Sequence, residues 1–446
     1  MITKSFRMTA VAALLCGVSA MAVAAVTAGT YEGAAQGKLS TVKAAVTLNQ
    51  DGRITDVKLD VSGETPELGG AAAKKMAPAI VEHQSTAVDG MSGATVSSEA
   101  IRKAVAAAIE KAGADPKKYD VKVAKTVGAD ETLTADIVVV GAGASGTAAA
   151  VTAAEAGAKV IVLEKGPAVG GAGKLASGLF AVESSMQKAK YRNNPELLSQ
   201  LTKDQLYKQL MDYNHYLSSA SITRRVIDES SSTVDWMNKH GAKLELIDWN
   251  PQQGQNPYPI RWRIYHRYVD NAGAFKNMYD AFGKLGGKLL LQTRAYDLTQ
   301  DKDGNVTAVI AEKADGGKLT IKTSAVILAS GGYGADQSLL PPKMKSFLFY
   351  GVDGETGDGL KMGEAIGAAT INMDLVKQYP QGVETRPHHG LAATASSTDT
   401  MKKSGAIYVN RDGKRFVDEN VGLGVLTDKT IEQPGSIAYI VMDEAA

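Results

Sequence analysis

The chain has 446 residues, enough for two or three domains with a sizeable core. Its 49 basic and 48 acidic residues leave a formal charge of +1, so nothing points to nucleic acid as a partner or to electrostatic membrane binding. Cys16 is the single cysteine, which leaves this sequence no disulfide, no cysteine-held iron–sulfur cluster and no C-x-x-C-H haem site. Redox chemistry is thereby left to an organic cofactor, and no metal site is expected.

Lys4 and Arg7 precede an apolar run, Met8 to Val23, which ends in the small residues Ala22-Val23-Ala24. This is the pattern of a secretory signal, residues 1–25, with cleavage near Ala24 or Ala25. It implies a periplasmic protein. Its removal takes away two basic residues and Cys16, leaving a net charge of about −1.

From Gly29 to Gly113 the chain reads as a unit of its own. Thr30-Tyr31-Glu32-Gly33 opens a strand, and Ser40 to Asn49 and Ile54 to Val61 are strand-like runs joined by the turn Asp51-Gly52. Gly70 to His83 and Glu99 to Ala112 read as helices. Between them stands Val88-Asp89-Gly90-Met91-Ser92-Gly93-Ala94-Thr95-Val96-Ser97-Ser98. This stretch resembles the FMN-binding domain shared by subunits of sodium-pumping and electron-bifurcating membrane complexes and by periplasmic flavin reductases. The resemblance implies FMN held covalently on Thr95 through a phosphoester, attached by a flavin transferase. The start of the following helix offers backbone N–H groups to the phosphate. The plainer reading makes Ser97 or Ser98 a helix N-cap.

Residues 114–134 are polar and lysine-rich and read as a linker with one short strand. Ala135 opens the stretch around which the rest is organised. Ile137 to Val140 is a β-branched run suited to a buried parallel strand, and Gly141, Gly143 and Gly146 follow at G-x-G-x-x-G spacing. Gly141 permits the tight turn, Gly143 lets the backbone approach a pyrophosphate, and Gly146 lets helix and strand touch. Thr147 to Ala158 is alanine-rich and suited to a helix packed close to the strand, whose N-terminus, with Ala144 and Ser145 just before it, favours phosphate charge. A second apolar strand, Lys159 to Leu163, ends in Glu164, placed to accept hydrogen bonds from a ribose.

The segment Lys165-Gly166-Pro167-Ala168-Val169-Gly170-Gly171-Ala172-Gly173-Lys174-Leu175-Ala176-Ser177-Gly178 resembles that of the flavoprotein subunits of fumarate reductase and succinate dehydrogenase. It is closer to their soluble periplasmic relatives, which include fumarate, urocanate and similar enoate reductases. By that resemblance the loop wraps FAD, through Lys165, Gly171, Ala172, Gly173 and Gly178. Ala172 stands where relatives usually carry asparagine, at the loss of one side-chain hydrogen bond. Ser324 to Gly334 reads as another buried strand and glycine turn, and Ala295, in Thr293-Arg294-Ala295, and Gly331, in that turn, belong to the same implied FAD site. Thr356-Gly357-Asp358-Gly359 matches a family motif that places Asp358 near the FAD.

Between these motifs, Glu183 to Tyr268 reads as helix-rich, with Trp236, Trp249 and Trp262 as packing residues. His266 faces FAD or substrate, or is a satisfied structural histidine. Gln378-Tyr379-Pro380 aligns with a Gln-x-His-Pro segment of fumarate-type relatives. Its tyrosine resembles the urocanate-type branch, so Tyr379 either hydrogen-bonds or stacks on substrate, or is buried packing. The family's proton relay of Glu and Arg falls on Asp399 and Lys402. The arginine that donates the proton falls on Leu423, and no arginine follows Arg415. The resemblance also places further substrate- and FAD-binding segments beyond Ala446, so the chain is expected to be the N-terminal portion of a longer flavoprotein.

The expected fold is α/β and α+β: a small FMN-binding domain (28–113), a linker (114–134) and a Rossmann-like FAD-binding domain with the start of an inserted capping domain (135–446). The expected activity is electron flow from an external donor, such as a membrane-linked cytochrome or quinol dehydrogenase, through FMN and FAD to a small unsaturated organic acid. A ketosteroid-type dehydrogenase on the same FAD fold, and a flavin carrier without catalysis, are the alternatives.

Overall fold

The structure, a computed structural model, describes residues 26–91, 93–123, 127–197, 202–247, 264–380, 382–391, 405–419 and 421–442. The chain divides into two compact units. The first is Met1–Gly63, Ala73–Asp89 and Glu99–Val123; the second is Glu64–Ala72, Gly90–Ser98 and Ala124–Ala446.

In the first unit three strands, β1 (Gly29–Gln36), β2 (Thr41–Leu48) and β3 (Ile54–Asp60), form an antiparallel meander. Val42, Ala44, Val46 and Leu48 alternate inward along β2, as a half-buried strand requires. The β2–β3 turn needs Gly52 at φ +75°, and Asn49 Oδ1 accepts from the N–H groups of Asp51 and Arg53. Helices α1 (Ala71–His83) and α2 (Thr95–Lys111) carry Met76, Ile80, Ile101, Val105 and Ile109 into the core. Strand and helix meet at Gly33, where a Cβ would lie 2.0 Å from Ala104 O. The second helix was expected from Glu99; it begins at Thr95.

The second unit is layered. Its centre is a four-stranded parallel sheet in the order β10 (Lys288–Leu290), β6 (Val160–Leu163), β5 (Ile137–Val140), β14 (Ala325–Leu328). Val138, Val140, Ile161 and Leu163 project to one face. There they pack on Leu298, Val309, Ala311, Leu319 and Ile321 from β11 (Arg294–Gln300), β12 (Val306–Glu312) and β13 (Lys318–Lys322). Val139, Val160 and Val162 project to the other face. They meet Ala150, Val151 and Ala154 of α3 (Ala144–Glu155) and Tyr279 and Phe282 of α8 (Asn271–Lys284). Each valine, leucine or isoleucine among them contributes about 1.5–3 kcal/mol on burial.

Residues 131–134 are more than linker: Glu131–Thr134, β4, pairs in parallel with β13 and completes the second sheet. The helix-rich stretch holds α4 (Ser185–Lys190), α5 (Lys203–Tyr213), α6 (Ala220–Asp228) and α7 (Ser230–Lys239). A small sheet, β7 (Gly178–Phe180), β9 (Tyr265–Tyr268) and β8 (Leu244–Leu246), completes it. Ala325–Leu328 was expected to be a buried strand; as the outermost strand of the parallel sheet, β14 instead leaves Ile327 and Leu328 37% and 41% exposed. Among the described residues no helix is long and apolar enough to cross a membrane.

Candidate functional site: a dinucleotide cradle and a flavin attachment turn

The parallel strands end at one edge, and the glycine turns collect there. Gly141 takes φ +104°, and a Cβ on it would lie 2.3 Å from Ala329 O, so the turns after β5 and β14 are in contact. A Cβ on Gly146 would lie 1.9 Å from Gly141 O, which is how closely α3 approaches the turn. Gly143 differs. A Cβ there would meet nothing nearer than Gly170 O at 3.9 Å, so the space above its backbone is open. Ala144 and Ser145 are exposed at the first turn of α3, which begins at Ala144 rather than at the expected Thr147.

Glu164 follows β6. Its Oε2 accepts from Ala142 N–H at 2.8 Å and its Oε1 from Gly166 N–H at 2.6 Å. These two bonds fix the carboxylate beside the turn. The next loop runs alongside: Gly170 N–H donates to Ala142 O, and Gly143 and Gly170 form a parallel bridge. Gly170 and Gly171 both have positive φ. Gly173 is forced by packing, since a Cβ would lie 2.8 Å from the Phe275 ring. Gly178 is forced in the same way, at 2.2 Å from His266 O. Ala172 is exposed. Ala295 is buried in the core between the two sheets, so its methyl group is committed to packing. Gly331 takes φ +79° in the turn after β14.

Asp358 opens α9 (Asp358–Ala365) and is 6% exposed. Its Oδ2 accepts from Lys165 Nζ at 2.8 Å and its Oδ1 from Arg294 Nη2 at 2.8 Å. Burial pushes the carboxyl up, but Arg294 and Lys165 together outweigh burial and hold it at about 2. Lys165 Nζ also donates to Thr356 Oγ1 at 2.8 Å. Arg294 is the residue that the sequence did not reveal. It lies 64 positions from Asp358 and carries no local motif.

Thr95 is exposed at the first position of α2, a helix of 17 residues. Ser97 and Ser98 are not its N-caps, which corrects the plainer reading of this segment. Ser97 Oγ donates to the buried Glu64 Oε2 at 2.6 Å, and Ser98 Oγ accepts from Met91 N–H at 3.1 Å. The turn carrying Thr95 groups with the second unit. There a Cβ on Gly93 would lie 3.7 Å from Pro167 Cδ and 3.8 Å from Gly166 Cα.

Of the expected catalytic residues, His266 is fully buried. Its Nε2 lies 2.8 Å from Ser184 Oγ and its Nδ1 3.0 Å from Ile264 O. Burial pushes its pKa down, against the carbonyl of Ile264 and the charge of Asp235. This is a satisfied structural histidine, which corrects its placement against substrate. Tyr379 is 47% exposed, edge-on to Tyr350 with Lys377 Nζ 5.1 Å from its ring centre, and so is not buried packing. Asp399, Lys402, Trp249 and Trp262 lie outside the described residues. Leu423 begins a helix, Leu423–Ile431.

The open backbone at Gly143, the exposed N-terminus of α3 and the fixed carboxylate of Glu164 fit an FAD dinucleotide. The exposed Thr95 hydroxyl at a helix start fits an FMN phosphate.

Comparison with known proteins agrees. Residues 136–444 match the FAD binding domain family, and residues 37–110 match the FMN-binding domain family. A fumarate reductase (cytochrome) of Shewanella frigidimarina is 31% identical over 321 residues, covering 70% of this chain and 52% of that protein. A urocanate reductase of Eggerthella lenta is 27% identical, covering 94% of this chain and 68% of that one. The chain thus spans about half the length of the first of these relatives and about two thirds of the second. The open conformation of a flavocytochrome c3 fumarate reductase shares the fold, with TM-score 0.59 at 24% identity over 74% of this chain and 58% of that one. The chain belongs to the FAD-binding flavoprotein family that contains the fumarate-reductase-type enzymes, and it joins an FMN-binding domain to the FAD-binding one.

Proposed function

We propose that this chain acts as an exported two-flavin reductase for the C=C bond of a small unsaturated organic acid of the fumarate, urocanate or acrylate type. FMN is tethered to Thr95 by a flavin transferase, and an external donor, such as a membrane-linked cytochrome or quinol dehydrogenase, supplies the electrons. Bound FMN supplies one-electron relay and bound FAD supplies hydride delivery. Reduction of the alkene adds that hydride at one carbon and a proton at the other. Tyr379 is the exposed proton-donor candidate; Lys402, paired with Asp399 in sequence, is the second.

The observation that carries the reading is the seat of the attachment turn. Gly93 stands two residues before Thr95, and a Cβ added to it would lie 3.7 Å from Cδ of Pro167, three residues after Glu164 in the loop beside the dinucleotide turn. The names of the relatives supply the substrate class.

The test is anaerobic. Reduced viologen is mixed with the flavin-loaded protein and a panel of fumarate, urocanate and substituted acrylates. Enoate-dependent oxidation of the dye is expected. A protein that carries both flavins and oxidises the dye with no member of the panel would overturn the reductase reading and leave an electron carrier.

A further inference from the structure

The glycine turn that ends β14 sits under an acid that the cofactor reading does not use. Glu355 lies three residues before α9, and its side chain runs across Gly331 and Gly332. A Cβ on Gly331 would lie 3.6 Å from Glu355 Cγ, and one on Gly332 would lie 3.5 Å from Glu355 Oε2. A Cβ on Gly351 would lie 3.2 Å from the same oxygen. Three glycines therefore make the room this carboxylate occupies. Among the described residues, no side chain or backbone N–H donates a hydrogen bond to it.

The charges around it are already committed. Lys165 is the cation facing Glu355, but its ammonium donates to Asp358 and Thr356. Arg294 is engaged with Asp358 from behind. Asp353, two residues earlier, is 3.9 Å from His389 Nε2. Asp358 pairs with both cations, and the charge of Glu312 also acts on Arg294. An ionised Glu355 offsets the ammonium of Lys165, and a protonated one leaves that ammonium available to an anionic ligand. Burial favours the protonated form by pushing the carboxyl up, and Lys165 offsets part of this.

We propose that Glu355 is a proton-gated counter-charge in the FAD cradle: protonated, it lets the Lys165–Arg294 pair attract the dinucleotide's pyrophosphate, and ionised, it weakens FAD binding. The inference rests on the FAD assignment and not on the identity of the substrate or the electron donor. Its sign is fixed. FAD affinity falls as pH rises through the pKa of Glu355.

The test is calorimetric titration of FAD into the FAD-depleted full chain at low ionic strength, from about pH 5 to about pH 8. The wild-type protein should lose about three- to tenfold in affinity across that range, the scale of one charge acting over several ångströms in a partly wet site. Glu355→Gln should hold the low-pH affinity throughout. Glu355→Asp, which keeps an ionisable group, should retain a slope. Circular dichroism of the FAD-free variants establishes that each is folded. A flat wild-type profile overturns the proposal. So does an undiminished slope in E355Q, or a profile in E355D as flat as that of E355Q.

Discussion

Asp358 is almost closed off from solvent and yet stays ionised, because Lys165 and Arg294 reach it from two different strand ends. A buried carboxylate without such partners would take up a proton. The sign of the linkage follows. Its folded pKa, about 2, lies below the ordinary carboxylate value, so the stability it contributes is present above about pH 4 and is lost as pH falls towards 2. Asp358→Asn should cost about 1–3 kcal/mol at neutral pH, reduced from the full cost of a buried pair because Arg294 is half exposed. The variant should also lose part of the wild-type acid sensitivity in that window; urea unfolding at a series of pH values measures both. At Thr95 the expectation is covalent. Mass spectrometry of denatured protein made with a flavin transferase should show an FMN adduct, absent from Thr95→Ala with the fold unchanged. An unmodified wild-type peptide from the same preparation would reject the tether.

At the scale of elements, the strand–turn–helix–strand over Ile137 to Leu163 was legible because every signal in it is local. A β-branched run, spaced glycines and an acid at a strand end need no distant partner to be read. The start of α2 was not legible. Thr95 and Val96 are weak helix formers, and tertiary contacts of Ser97 and Ser98 carry the helix back to them. The Lys165–Asp358–Arg294 cluster joins residues 193 and 64 positions apart, and only the pairing of β11 with its sheet brings Arg294 to the site. His266 was ambiguous because a histidine in an aromatic stretch reads the same whether its partner is a serine or a ligand. Two glycines of the turn separate folding from binding. Gly146→Val should destabilise the FAD-free protein by at least about 2 kcal/mol, since its side chain would enter the backbone of Gly141. Gly143→Ala has room for its methyl group and should change FAD-free stability by less than about 1 kcal/mol. It should nonetheless weaken FAD binding at least about tenfold, because that room is the ligand's. Thermal unfolding and FAD titration on the two variants should therefore rank them in opposite senses relative to each other's defect.

At the scale of the whole molecule, the sequence divides by periodicity at residues 114–134, whereas the two compact units divide it differently, with Glu64–Ala72 and Gly90–Ser98 grouped with the second. No local signal announces that the meander of β11, β12 and β13 stacks against the parallel sheet, or that residues 131–134 supply its fourth strand. A parallel edge pairing of four residues leaves no turn signal to announce it. The stacking explains why the dinucleotide turn is firm: β5 is packed on both faces, by the second sheet and by α3 with α8. The outermost strand of that sheet is less protected. Ala325–Leu328 offers neighbouring molecules a ready template, with apolar side chains in view and, among the described residues, no further strand hydrogen-bonded outside it. Concentrated solutions of this chain should therefore clump through that rim, and light scattering should show Ile327→Lys delaying it.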